Sequence, residues 1–232
     1  MVARVTVLSV VDAIADDLRN EILRGELVPG DPLTEAEVSE RYDVARATAK
    51  AAIERLVAES VLERRTHKTA RVVKLGPDEV RDIYRARAYL EAEVLRQLAA
   101  ARTVPDDAVA ANAEFERLGD VSSFEIIGPD MRFHTALVDA LGNTRTSRMY
   151  RTLVSEVTLC LAQVHGRQLV KPTLLHAEHA EILSRLRRGD GNGATSLLAE
   201  HLGRARERLA EALGGQAGPE ATTPSSLDLG TS

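Results

Sequence analysis

The sequence predicts a mainly α protein in two parts: an N-terminal winged helix-turn-helix, then an all-α helical bundle. Three observations lead there. The first 75 residues read as three helices followed by two short β-like runs around a basic turn. From Pro77 to about residue 213, apolar residues recur at helical spacing with no convincing strand. Aromatic residues make up only 3% of the chain and tryptophan is absent, so the cores must be built of Leu, Val, Ile and Ala, a usage that favours helices. The expected units are 1–75 and 76–213, each long enough to bury a core, with 214–232 as a disordered tail rich in Gly, Pro, Ser and Thr. With 44% hydrophobic and 28% charged residues, the composition is that of a globular chain.

Each element has a local cause. Residues 10–24 form an amphipathic pattern that stops at Gly25, and Pro29-Gly30 marks a turn before the extended pair Pro32-Leu33. Thr34 is placed to cap a second, short helix, with Glu37 three residues on as its capping-box partner. A third helix is expected from Ala45 to Glu59, with Ala49, Ile53, Leu56 and Val57 as its apolar face and Arg46, Lys50 and Arg55 off it. Val61-Leu62 and Ala70 to Val73 read as strands around the turn Arg65 to Thr69. Beyond Gly76, Pro77 suits the first position of a helix, and Asp78 and Glu79 suit its positive end. Breaks near 103–105, 119–120, 142–143, 166–172 and 189–193 divide the remainder into about six helices.

Charge is uneven along the chain. The net charge is −5, yet residues 41–76 hold nine basic side chains against four acidic ones, which makes this block a candidate phosphate-facing surface. Cys160 is the only cysteine, so an internal disulfide is excluded; a small core hydrophobe in a reducing compartment is the expectation. The apolar run Val5 to Val11 is cut short by Asp12, and Val11, Ile14, Leu18 and Ile22 carry a helical pattern past the small-residue segment that would otherwise resemble a cleavage site. No apolar stretch approaches membrane-spanning length. These features point to a cytoplasmic protein without a membrane partner.

In a helix-turn-helix, the N-terminal residues of the second helix of the pair reach base edges in the major groove. Here those positions hold Arg46, Thr48 and Lys50, whose donors suit guanine edges and phosphates, while His67 and Lys68 occupy the turn of the hairpin. Residues Ile22 to Glu35, Val44 to Ile53, Leu56 and Glu59 to Leu62 together resemble the GntR family of bacterial regulators continuously over residues 10–75. The resemblance implies double-stranded DNA as partner, read as a palindromic operator by a homodimer. Four positions depart from the family pattern. Ala45 replaces a serine cap, Lys50 an arginine, and Ser60 and Thr69 replace glycines at positions that favour positive φ.

The later region resembles the FCD domain of the FadR subfamily. The likeness rests on Asp82 to Glu91, on Asp130 to His134 with Leu141-Gly142-Asn143, and on Glu178-His179 through His201-Leu202. Spacing alone puts Asp130 and His134 on one helical face. The resemblance adds His179 and His201 and implies that all four hold a divalent metal, zinc first, with nickel or manganese as alternatives, beside a pocket for a small organic acid. Arg87 and Asn143 are the implied effector contacts, and Arg87 has a second reading as an ion pair with Glu91 at i+4. A regulator whose operator affinity follows an effector bound near the metal accounts for both halves of the chain. A metal-dependent hydrolase or lyase built on Asp130 and the three histidines is the rival reading, but it leaves the basic winged helix without a purpose.

Overall fold

The computed structural model describes residues 9–65, 68–118, 123–164 and 169–216. Helices α1 (Val10–Arg24), α2 (Glu35–Arg41) and α3 (Arg46–Ala58) pack around one hydrophobic cluster that contains Leu18, Ile53 and Leu56. Strands β1 (Pro32–Leu33), β2 (Leu62–Glu63) and β3 (Ala70–Val72) form an antiparallel sheet in the order β1-β3-β2, with Leu33 opposite Ala70 and Leu62 opposite Val72. The hairpin is the wing expected from the sequence. The strand at Pro32-Leu33 is an addition, closed by Gly30 N donating to the Val72 carbonyl at 2.8 Å.

Local chemistry sets the helix ends. Thr34 and Glu37 form the expected capping box, Glu37 N donating to Thr34 Oγ1 at 3.1 Å and Thr34 N to Glu37 Oε2 at 2.9 Å. Gly25 ends α1 in the left-handed conformation at φ 75°. The buried face of α3 is Ala49, Ala52, Ile53 and Leu56; Val57 is only partly buried, because α3 lies between α1 and α2 and turns Ala52 inward. Ala45 has the extended geometry of an N-cap but offers no side-chain bond to α3. Ser60 adopts φ 59°, the left-handed conformation expected where the family has glycine, whereas Thr69 is not among the described residues with positive φ.

Six further helices among the described residues build the second cluster: α4 (Pro77–Ala100), α5 (Asp106–Glu114), α6 (Ser123–Asp139), α7 (Thr144–Ala162), α8 (Pro172–Arg188) and α9 (Gly191–Ala212). The breaks expected near 103–105 and 142–143 separate helices, that expected at 189–193 is shorter because α9 begins at Gly191, and 119–120 and 166–168 lie outside the described residues. Helix α4 is central: it packs along α9 and also meets α6, α7 and α8. The two clusters meet at α7, which contacts α1 and buries Leu159 in the winged-helix core. Cys160 beside it is fully buried, and burial pushes its thiol up to about 12, so it packs as an inert hydrophobe. Of the expected tail, Gly214 to Gln216 are held in place: Gly215 N donates to the Ala210 carbonyl and Arg81 to the Gln216 carbonyl. Residues 217–232 and His67 lie outside the described residues. Among the described residues, no helix is long and apolar enough to cross a membrane.

Two substitutions follow from these helix ends. Ala45→Ser should supply the cap that α3 lacks, and Ser60→Gly should remove the left-handed cost of an L side chain. Each is expected to add up to about 1 kcal/mol, or roughly 2–4 °C in melting temperature for a chain of this size. Urea and thermal unfolding of the two variants check this; a loss of stability in both would overturn the assignment of these ends.

Candidate functional site

Four side chains from three helices converge inside the bundle. Asp130 and His134 come from α6, His179 from α8 and His201 from α9, and one ligand atom from each lies within 4.8 Å of every other. All three histidines are buried, at 0%, 0% and 3% exposure. Their tautomers follow from the carboxylates behind two of them. His134 Nδ1 lies 2.6 Å from Glu91 Oε2, and His201 Nδ1 lies 2.8 Å from Glu178 Oε2. An ionised carboxylate only accepts, so each Nδ1 carries a proton, and in the neutral imidazole each Nε2 then presents a lone pair. Those two Nε2 atoms face one another at 3.2 Å. Asp130 Oδ1 sits 3.8 Å from His134 Nε2 and 3.4 Å from His179 Nε2, and both Asp130 Oδ1 and His179 Nε2 are buried without a hydrogen-bond partner. Acceptors aimed at acceptors in a buried space are costly unless a cation lies between them, and three imidazoles with one carboxylate suit a first-row divalent ion. The residues present therefore fit such an ion.

His179 is oriented differently from its partners. Its ring stacks on Phe133 at 3.7 Å and 4°, with Phe115 edge-on at 5.5 Å, so aromatic packing rather than a carboxylate holds it.

A cavity of about 460 Å³, counted with its open mouth, adjoins the cluster, and Asp130, His201, Tyr84 and Arg87 line it. Arg87 is 1% exposed. Its Nε donates to Glu91 Oε1 at 2.9 Å, while Nη2 is buried without a partner. Arg87 therefore forms the i+4 pair with Glu91 and still presents a donor without a partner. Tyr150 of α7 donates to the same Glu91 Oε1 at 2.8 Å. Burial alone would raise the Glu91 carboxyl, but His134 and Arg87 hold it below the usual range and ionised. Asn143 lies apart from this cavity. It caps α7, its Oδ1 accepting from Arg145 N at 3.1 Å and Thr146 N at 3.2 Å.

On the winged helix, Arg46 opens α3 exposed, Thr48 is half-buried and Lys50 is exposed 3.7 Å from Glu54. Lys68 is exposed at the wing.

Comparison with known proteins agrees with this architecture. Residues 82–204 match the FCD domain, and residues 10–72 match the bacterial regulatory proteins of the gntR family. The chain is an FCD-domain member of the GntR family. It is 25% identical over 208 residues to the HTH-type transcriptional regulator BphR of Paraburkholderia xenovorans, covering 84% of this chain and 83% of that one. It is 28% identical over 196 residues to the HTH-type transcriptional repressor GlaR of Escherichia coli, covering 80% and 89%. The crystal structure of a GntR transcriptional regulator from Rhodococcus sp. RHA1 shares the fold at a TM-score of 0.74 and 21% identity, over 87% of this chain and 98% of that one. This GntR-family chain is thus a transcriptional regulator, and the hydrolase or lyase reading of Asp130 and the three histidines is set aside.

Two groups of this GntR-family site escape a reading of the sequence. Glu91 and Glu178 act on histidines of other helices, and only the packing of α4 on α6 and of α8 on α9 brings them there.

Burial, with His201 and His134 nearby, holds the His179 imidazole well below its ordinary value of 6.5. A depressed value means that the folded chain binds fewer protons than the unfolded one. The stability it contributes is therefore full above about pH 6.5 and is lost as pH falls toward the folded value, at up to about 1.4 kcal/mol per pH unit. With chelator present, the melting temperature should fall from pH 7.5 to 5.5, and His179→Gln should flatten that slope. An unchanged slope in the variant would show that His179 is not the group responsible.

Proposed function

We propose that this regulator binds a palindromic operator as a cytoplasmic homodimer. Residues 1–75 read the DNA, and a small carboxylate effector bound near a divalent metal in residues 76–213 sets the affinity. The observation that carries the reading is the buried, unpartnered Arg87 Nη2 of a residue that lines one cavity with Asp130 and His201, two of the four members of the cluster completed by His134 and His179. A divalent ion, zinc first and nickel or manganese as alternatives, would supply net positive charge there, because three neutral imidazoles and one carboxylate leave it uncompensated. Arg87 would orient the acid through its free donor, and Glu91 and Glu178 would hold His134 and His201 with their lone pairs inward. At the DNA, Arg46 and Lys50 are offered to base edges and phosphates, with Thr48 beside them and His67 and Lys68 on the adjoining backbone. A homodimer is required by specificity, since one recognition helix contacts too few base pairs alone.

Two experiments test this. Arg46→Ala should weaken gel-shift binding to the protein's own promoter region by roughly 1–3 kcal/mol while leaving the melting temperature unchanged. Wild-type affinity in that variant would displace the recognition helix from the groove. Elemental analysis of untagged protein purified without chelator should find about one divalent ion per chain by the site's ligand count. His134→Ala should lose the ion and keep binding DNA. Metal-free wild-type protein that cannot be reloaded would refute the metal half of the proposal.

A further inference from the structure

The walls of the Arg87 cavity differ sharply in chemistry from its charged end. Ile126 and Ile127 of α6, Leu161 of α7, Leu175 of α8, and Leu202 and Ala205 of α9 face the same space. Among the described lining residues, Arg87 is the one arginine or lysine and Tyr84 the one hydroxyl. The Arg87 guanidinium lies 5.1 Å over the Tyr84 ring, so these two groups of α4 form a single polar corner next to Asp130 and His201. The rest of an occupant would touch hydrocarbon.

Resting on the reading that this site takes an acid, we propose that the effector is a monocarboxylate on a compact aliphatic body. Dicarboxylates and polyhydroxylated acids are rejected. One carboxylate matches one free guanidinium donor, and it requires the neighbouring Asp130 charge to be compensated by the cation that the cluster fits. A second carboxylate pressed against Ile126, Leu175 and Leu202 would be a buried charge with no counter-charge. Each hydroxyl held against these hydrocarbon walls, away from Tyr84, Asp130 and His201, would be buried without a partner and weaken binding by roughly tenfold. Each methylene taken out of water by these walls should tighten binding about fourfold. The space open to the centre of a water-sized sphere is only about 50 Å³, far below that of ordinary ligand pockets, which limits the body to a short chain.

Calorimetric titration of the zinc-loaded full chain with pentanoate, 3-methylbutanoate, glutarate and gluconate tests the inference. Pentanoate and glutarate have the same carbon count and differ in one carboxylate. Pentanoate and 3-methylbutanoate, the two acids with an unsubstituted aliphatic body, are expected to bind at least thirtyfold tighter than glutarate or gluconate. Ile126→Thr should cut that preference about tenfold without changing zinc content, and Arg87→Met should abolish binding of every acid. Glutarate or gluconate binding as tightly as pentanoate, and lost in Arg87→Met, would overturn the inference while leaving the acid site in place. No binding of any acid to the zinc-loaded wild type would remove both.

Discussion

One buried carboxylate organises the interior of the helical bundle. Glu91 of α4 meets Arg87 Nε and Tyr150 Oη through one oxygen and His134 Nδ1 through the other, at 2.6 to 2.9 Å and 2% exposure. Removing a charge from water costs several kcal/mol unless partners replace the lost hydration, and here three helices supply them. The arrangement fixes more than itself. It sets the His134 tautomer, leaves Arg87 one donor for the cavity, and ties α7 to the site. Replacing Glu91 by an apolar residue would leave Arg87 as an uncompensated buried cation, the costlier of the two ways of breaking such a pair.

Helix α7 is the physical link between the halves of the molecule. Tyr150 touches Glu91, and Leu159 is buried in the winged-helix core. These residues lie nine positions apart on one unbroken helix, about 13.5 Å at 1.5 Å per residue. Tight packing makes such an element move as a body rather than bend. The carboxylate that orients a cluster histidine and the helix that supports α1 are therefore one hydrogen bond apart.

What the sequence disclosed was whatever depends on neighbours in the chain. The Thr34–Glu37 capping box and the shared face of Asp130 and His134 are three- and four-residue patterns, and each appears where those patterns put it. Left-handed Ser60 could be read because a glycine is usual there. Strand β1 could not, because two residues become a strand only by pairing with Ala70 and Arg71, far along the chain. Glu91 and Glu178 were hidden for the same reason. Asn143 belongs with the local patterns too: an asparagine directly before Thr144 is an N-cap signal, and it caps α7.

Charge pairing in the bundle explains why the cluster and the cavity belong together. Arg87 is matched by Glu91, and Glu178 is matched by Arg204 while it also holds His201. After those pairings Asp130 is the one carboxylate of the group facing imidazole nitrogens and the cavity with no cationic side chain bonded to it. By itself, Asp130 would repel an incoming acid. On the proposed reading, a divalent cation held by Asp130 and the three imidazoles would reverse the sign of the local field, and the same residue would become part of what attracts an acid. Cation binding and acid binding would then be coupled by electrostatics: each ligand removes a like-charge penalty from the other, and the coupling is reciprocal.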